Sequence, residues 1–176
     1  MRPHRSTAAG FSLVEVIIAT GIFAASVAVI LALLPALARQ AAGSADTLTA
    51  LRLPDAVRLE LQRLAAAGGF DALANQAAPM AAPLPDPLTL VATRAAARVE
   101  ALGYLPPAAA ARMAEDQRYF LIEIWRFGEG PLVFDAGGAG LALHVRVSWP
   151  YRAPGSATTT PLANRDQVTF NMALSR

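Results

Sequence analysis

The sequence predicts an α+β chain: a long, bent N-terminal helix, its first half transmembrane, packed through its second half on an antiparallel β-sheet head. Three observations carry this. No charged side chain lies between Val16 and Ala38. Apolar residues from Leu48 to Leu64 recur at helical spacing, and the last third alternates apolar and polar residues in runs of strand length. A helix followed by consecutive strands is the order of an α+β fold.

Composition narrows the classes. The chain has 176 residues, room for one ordinary domain and an appendage. Hydrophobic residues reach 55% and charged ones only 16%, a skew that comes from Phe11–Ala38 and from many alanines elsewhere. There is no cysteine, hence no disulfide and no thiolate chemistry. A formal charge of +2 from scattered arginines offers no groove for nucleic acid, which is not an expected partner.

The amino terminus reads as follows. Met1–Gly10, "MRPHRSTAAG", carries Arg2 and Arg5 and no acid. Positive charge ahead of a long apolar run holds that end in the cytoplasm. As a helix, Phe11–Ala38 is roughly 42 Å long at about 1.5 Å per residue, against a hydrocarbon core of about 30 Å, so it spans with some tilt. A secretory signal has an apolar core of about 7–15 residues ending at a cleavage site. This run is much longer and continues into a helical pattern, which argues against that rival.

Glu15 interrupts the apolar stretch near its start. A carboxylate in lipid is costly, roughly 2.5–3.5 kcal/mol at a helix centre and less toward the interface. Near the interface it can snorkel or take a proton at modest cost. Pairing would need a cation at the same depth, and Phe11–Ala38 holds no Lys, Arg or His. A new α-amino group, made by cutting between Gly10 and Phe11, would supply one. Gly10 suits the position before a cut because it leaves the peptide open to close approach.

That constellation, "GFSLVEV" followed by an unbroken apolar helix, resembles the class III signal of type IV prepilins and type II secretion pseudopilins. The resemblance implies a leader over residues 1–10, a transmembrane and assembly helix over 11–38, and a soluble pilin-like head over 39–176. It implies that Gly10–Phe11 is the bond cut by a prepilin peptidase, that Phe11 is then N-methylated, and that Glu15 is the assembly carboxylate. The partners would be that peptidase, other pilin or pseudopilin subunits and the inner membrane. The head would be periplasmic, or part of a periplasmic or extracellular fibre after assembly. The strand "VRVSWPYR" and its successor, in a head without cysteines, look more like minor than disulfide-bearing major subunits.

Past the span, Pro35 is expected to bend the helix without ending it, because lipid penalises free backbone groups, and Arg39 marks the exit. Leu48, Leu51, Val57, Leu61 and Leu64 form the stripe expected to pack on the sheet, with Arg58, Glu60 and Arg63 largely off it. Pro54 with Asp55 reads as a kink or a fresh helix start, and Gly68–Gly69 as the stop. Phe70–Pro87 reads as a loop with at most one helical turn, Leu88–Glu100 as a strand with a short hairpin partner, and Leu105–Gln117 as a proline-started turn. Tyr119–Phe127 reads as a strand covered on both faces. Leu143 to Trp149 and Val168 to Leu174 alternate as half-buried strands, separated by a polar loop over Tyr151–Ala163.

Little in the chain suggests catalysis, and a non-enzyme without cofactors or a small-molecule substrate is expected. His4 would leave with the leader. His144 stands without company on an outward strand face and is expected to be solvated. Asp135, Asn164, Asp166 and Asn171 offer oxygens but no calcium-loop spacing. No lysine exists, which excludes a phosphate-loop motif. Trp125, Trp149 and Tyr151 fit core or strand-face positions better than a binding stripe. The structural-subunit reading thus leads. A tip subunit recognising a surface, DNA or a secreted substrate, or a simple anchored domain, stands as the alternative.

Overall fold

The computed structural model describes residues 12–102, 113–152, 156 and 158–176. The chain forms two compact units, one up to Ala45 and one from Asp46 to Arg176.

Helix α1 runs from Leu13 to Gly68. From Ser12 to Ala45 every described residue is exposed, including large apolar side chains such as Ile22, Phe23 and Leu34. This helix is long and apolar enough to cross a membrane, with a mean hydropathy of 2.7 in its most apolar window. Its hydroxyls are satisfied locally: Thr20 donates to the Val16 carbonyl at 2.7 Å and Ser26 to that of Ile22 at 2.8 Å. In a bilayer such back-bonding would leave neither of these two hydroxyls free.

From Asp46 onward α1 buries one stripe. Ala50, Leu53, Val57, Leu61 and Leu64, at spacings of three and four, are 0–2% exposed. Leu48 and Leu51, expected on this stripe, are 59% and 58% exposed instead. Each lies about 100° or more round the helix from its core neighbours, and the small Ala50 takes the place between them. Nor does Pro54 start a new helix, since α1 continues through it. The bond it removes is offset by burial of Leu53 and Val57 on either side, and a proline costs roughly 3 kcal/mol or more within a helix.

Gly68–Gly69 ends the helix as expected, with the Gly69 N–H donating to the Ala65 carbonyl at 2.8 Å. Gly69 has φ +93°, a turn that a side chain would resist. The chain then re-enters a helix, α2, Phe70–Gln76, where a loop with at most one turn is expected from the sequence. Leu73, Ala74 and Ala77 pack into the core, and that burial sustains a seven-residue helix between glycine and proline punctuation.

Five strands follow: β1 (Leu88–Ala92), β2 (Val99–Ala101), β3 (Phe120–Arg126), β4 (Gly140–Trp149) and β5 (Asp166–Ser175). They form one fully antiparallel sheet in the order β2-β1-β3-β4-β5. The fold is α+β, with the second part of α1 on the sheet. Phe120, Ile122, Ile124, Leu143, Val145 and Val147 face the helix and are fully buried. Residues 103–112, with most of the expected 105–117 turn, lie outside the described residues; Glu115–Gln117 forms one 3-10 turn.

The opposite face is more polar. Glu123 and Arg146 pair across β3 and β4 at 2.9 Å, and the Arg146 guanidinium lies 5.0 Å from the Trp125 ring centroid. Trp125 is buried there, its Nε1–H donating to the Pro85 carbonyl at 2.9 Å. β3 is therefore buried on its helix side, whereas Leu121 and Glu123 on the other side are half-buried.

Candidate functional site

The sequence directs attention to the start of α1. Gly10 and Phe11 lie outside the described residues; Glu15 does not. Ser12 precedes the first helical residue, and its carbonyl accepts the Val16 N–H at 3.3 Å, opening the ladder. The Glu15 N–H donates to Ser12 Oγ at 3.2 Å. In return Glu15 Oε2 accepts the Ser12 N–H at 3.1 Å and the Ser12 hydroxyl at 3.2 Å. This is a capping box: two N–H groups that the helix itself leaves unpaired are satisfied reciprocally. The negative carboxylate also sits at the positive end of the helix dipole, where it is favoured. Among the described residues Oε1 accepts no hydrogen bond.

Weighed only as a charge in oil, Glu15 conceals this second property. The signal is Ser12-x-x-Glu15 directly ahead of an apolar run, a pattern specific to helix starts. It pairs two of the N–H groups at the start of the helix, those of Ser12 and Glu15.

The second constellation lies within the unit Asp46–Arg176 and no motif announces it. Asp46, on α1, is 8% exposed. Arg94, in the turn between β1 and β2, donates Nε and Nη2 to its two carboxylate oxygens at 2.9 and 3.0 Å. Tyr119, just before β3, donates its hydroxyl to Oδ2 at 2.7 Å, and the Arg94 guanidinium stacks 5.0 Å from the tyrosine ring centroid. Burial pushes the Asp46 carboxyl up. The hydrogen bonds from Arg94 and Tyr119, with the Arg94 charge, outweigh it and hold the group below its ordinary value. Tyr119 is pushed up to about 12, first by burial, then by its hydrogen bond to Asp46 and that carboxylate's charge. The hydrogen bond to Asp46 raises Arg94 further. None of the three titrates near neutrality, so the cluster is a fixed tie between helix and sheet, unsuited to proton transfer.

The remaining candidates are dispersed. His144 is half-buried and its Nδ1 lies 2.9 Å from Asn171 Oδ1, so it is partnered within the sheet where a solvated ring is expected. Asp135 Oδ1 accepts the Gly137 N–H at 3.0 Å in the turn before β4. Asp166 and Asn171 stand an odd number of residues apart on β5 and so face opposite ways. Among the described residues no group of three or more His, Asp or Glu side chains could hold a metal ion. Trp149 packs in the main core against Phe120, whereas Trp125 lies on the other face of the sheet.

Comparison of the chain with protein-family models, with curated proteins and with solved structures finds no match.

Proposed function

We propose that this chain is a structural subunit, a minor pilin or pseudopilin, processed by a prepilin peptidase and assembled through its apolar N-terminal helix into a type IV pilus or type II secretion pseudopilus. The observation that carries this reading is the state of Glu15. It is the only charge between Phe11 and Ala38, it sits in the first turn of α1, and one of its oxygens accepts no hydrogen bond from any described residue. A cut at Gly10–Phe11 creates an amine at that same end of the chain. Charge-assisted pairing of such an amine with a carboxylate is stronger than a neutral hydrogen bond, and a carboxylate left without it in apolar surroundings is penalised.

The exposed apolar side chains from Leu13 to Leu37 suit both lipid and a bundle of like helices, so one surface serves the membrane and the fibre. The α+β order of the head is the layout the resemblance implies. In this reading the chain sits in the bacterial inner membrane with its leader cytoplasmic and its head periplasmic, and it performs no catalysis. Gly10→Arg is expected to leave a longer, membrane-retained precursor. A mature form of unchanged size would remove the cleavage claim.

The capping box favours a second reading, a single-pass anchored domain, because Ser12 accounts for Glu15 without any amine. Glu15→Gln separates the two. Glutamine preserves a capping box but carries no charge. The subunit reading expects Glu15→Gln to be processed yet excluded from fibres that take up the unaltered chain, whereas the anchor reading expects neither chain to be processed or to enter a fibre; normal incorporation of the variant would remove the role of Glu15.

A further inference from the structure

The part of α1 that buries Leu53, Val57 and Leu61 has a far side as well. Successive helix residues turn by about 100°, so Leu48, Arg52, Asp55 and Leu59 fall within an arc of about 60°, opposite Val57 and with Leu51 at its margin. A helix lying on a sheet ordinarily keeps its far side polar. Here Leu48, Leu51 and Leu59 are 59%, 58% and 68% exposed. Arg52 and Asp55, between the leucines, are exposed too. Glu60 and Arg63 pair with each other at 2.6 Å on the same helix, whereas no described residue pairs with Arg52 or Asp55. The far side of the helix thus carries apolar side chains around two opposite charges that the single chain leaves unmatched.

We propose that this side of α1 is a contact face for a second copy of the chain, in which Arg52 of one copy meets Asp55 of the next. The face carries everything it selects: a cation for its anion, an anion for its cation, and leucines for its leucines. Two copies side by side in register would set Arg52 against Arg52 and Asp55 against Asp55, which repel. A slip of three residues, about 4.5 Å at about 1.5 Å per residue, removes that conflict. Arg52 then stands opposite Asp55 of the neighbour, and Leu48 opposite Leu51. Such a contact joins two different parts of the face, so it repeats from copy to copy without closing. A reversed pair also joins Arg52 to Asp55, with Leu48 opposite Leu59, but does so twice over and stops at two copies. The choice of the repeating contact rests on the subunit reading, because a fibre needs a contact that continues; the meeting of Arg52 with Asp55 does not. Three leucines and one charge pair are a small contact beside the roughly 1,000 Å² of a stable interface. Their part is to fix the register of copies that the apolar helices hold together.

The chain has no cysteine, so introduced cysteines report the contact. Full-length Leu48→Cys and Leu51→Cys chains are expressed together in the protein's own cells and oxidised in isolated membranes. They are expected to join as a mixed dimer about tenfold more than either joins itself. Arg52→Asp or Asp55→Arg, added to both chains, is expected to cut that yield about tenfold, and the two changes together, which exchange the charges, to restore it. Both positions are exposed, so unfolding midpoints are expected to stay unchanged, which separates a lost contact from a lost fold. No mixed dimer, or a yield indifferent to the charge changes, overturns the contact. A cross-link between Leu48→Cys and Leu59→Cys in place of the first pair overturns the repeating arrangement. Failure of the subunit reading shows separately, as an intact mass that still begins at Met1 whether or not the cross-link forms.

Discussion

Tyr119 and Asp46 stand 73 positions apart in sequence, yet the tyrosine hydroxyl meets the carboxylate at 2.7 Å. The bond ties the start of β3 to α1 at the first residue of the compact head, and Arg94 brings the β1–β2 turn to the same carboxylate. One side chain thus gathers three elements where the helix first buries a surface. Removing its charge should loosen all three. Asp46→Asn keeps the shape but weakens the pairing. Arg94 is about half exposed, so solvent screens the pair and the expected loss is about 1–2 kcal/mol, below the range for fully buried pairs. Denaturant titration followed by Trp fluorescence checks this, with Asp46→Asn combined with Arg94→Ala costing less than the sum of the singles.

The same cluster predicts a pH profile with two flanks. The Asp46 pKa is lowered in the folded chain, so its contribution is fully present above the ordinary carboxylate value and lost as pH falls through the lower folded value. The Tyr119 pKa is raised from 10.0 to about 12, so between those values the unfolded chain is ionised while the folded one holds its proton. The Tyr119 contribution therefore declines as pH rises across that interval and is constant below it. Thermal melts in that interval should flatten in Tyr119→Phe, and an unaltered slope would remove Tyr119 as the cause.

The register of α1 is testable by truncation. Leu61→Ala should cost about 2–5 kcal/mol, because the residue is fully buried between helix and sheet. Leu48→Ala and Leu51→Ala should stay within about 0.5 kcal/mol, since both point away from the core. Equal losses at Leu48 and Leu61 would show that the helix packs in another rotation.

At the other end of α1, Ser12→Ala removes the cap and should cost the first turn about 0.5–2 kcal/mol. Amide exchange at Glu15 and Val16 should speed up, with residues beyond Thr20 unaffected. Uniform exchange across the whole helix would deny the capping box any role.

Much of this architecture is legible from the sequence, because patterns of period two and uninterrupted apolarity are local. The alternation Leu143, Val145, Val147 and Val168, Phe170, Met172 reports which side of each strand meets the helix. The register of α1 is harder, since Leu48, Leu51 and Ala50 differ little in what a stripe requires; the sheet below selects the smallest of the three. Helix α2 depends on what Leu73 and Ala74 bury, which flanking Gly and Pro obscure. The Asp46–Arg94–Tyr119 tie draws on three distant segments and leaves no spacing to read. Ser12–Glu15 is the opposite case: a local motif, hidden because the carboxylate has a more conspicuous property.

The role proposed for Glu15 requires an amine created by proteolysis. Intact-mass analysis of the native protein, extracted from the membranes of its own cells, tests it most directly. The expected result is a chain beginning at Phe11 and heavier by one methyl group. A chain still beginning at Met1, with no shorter form beside it, would contradict it.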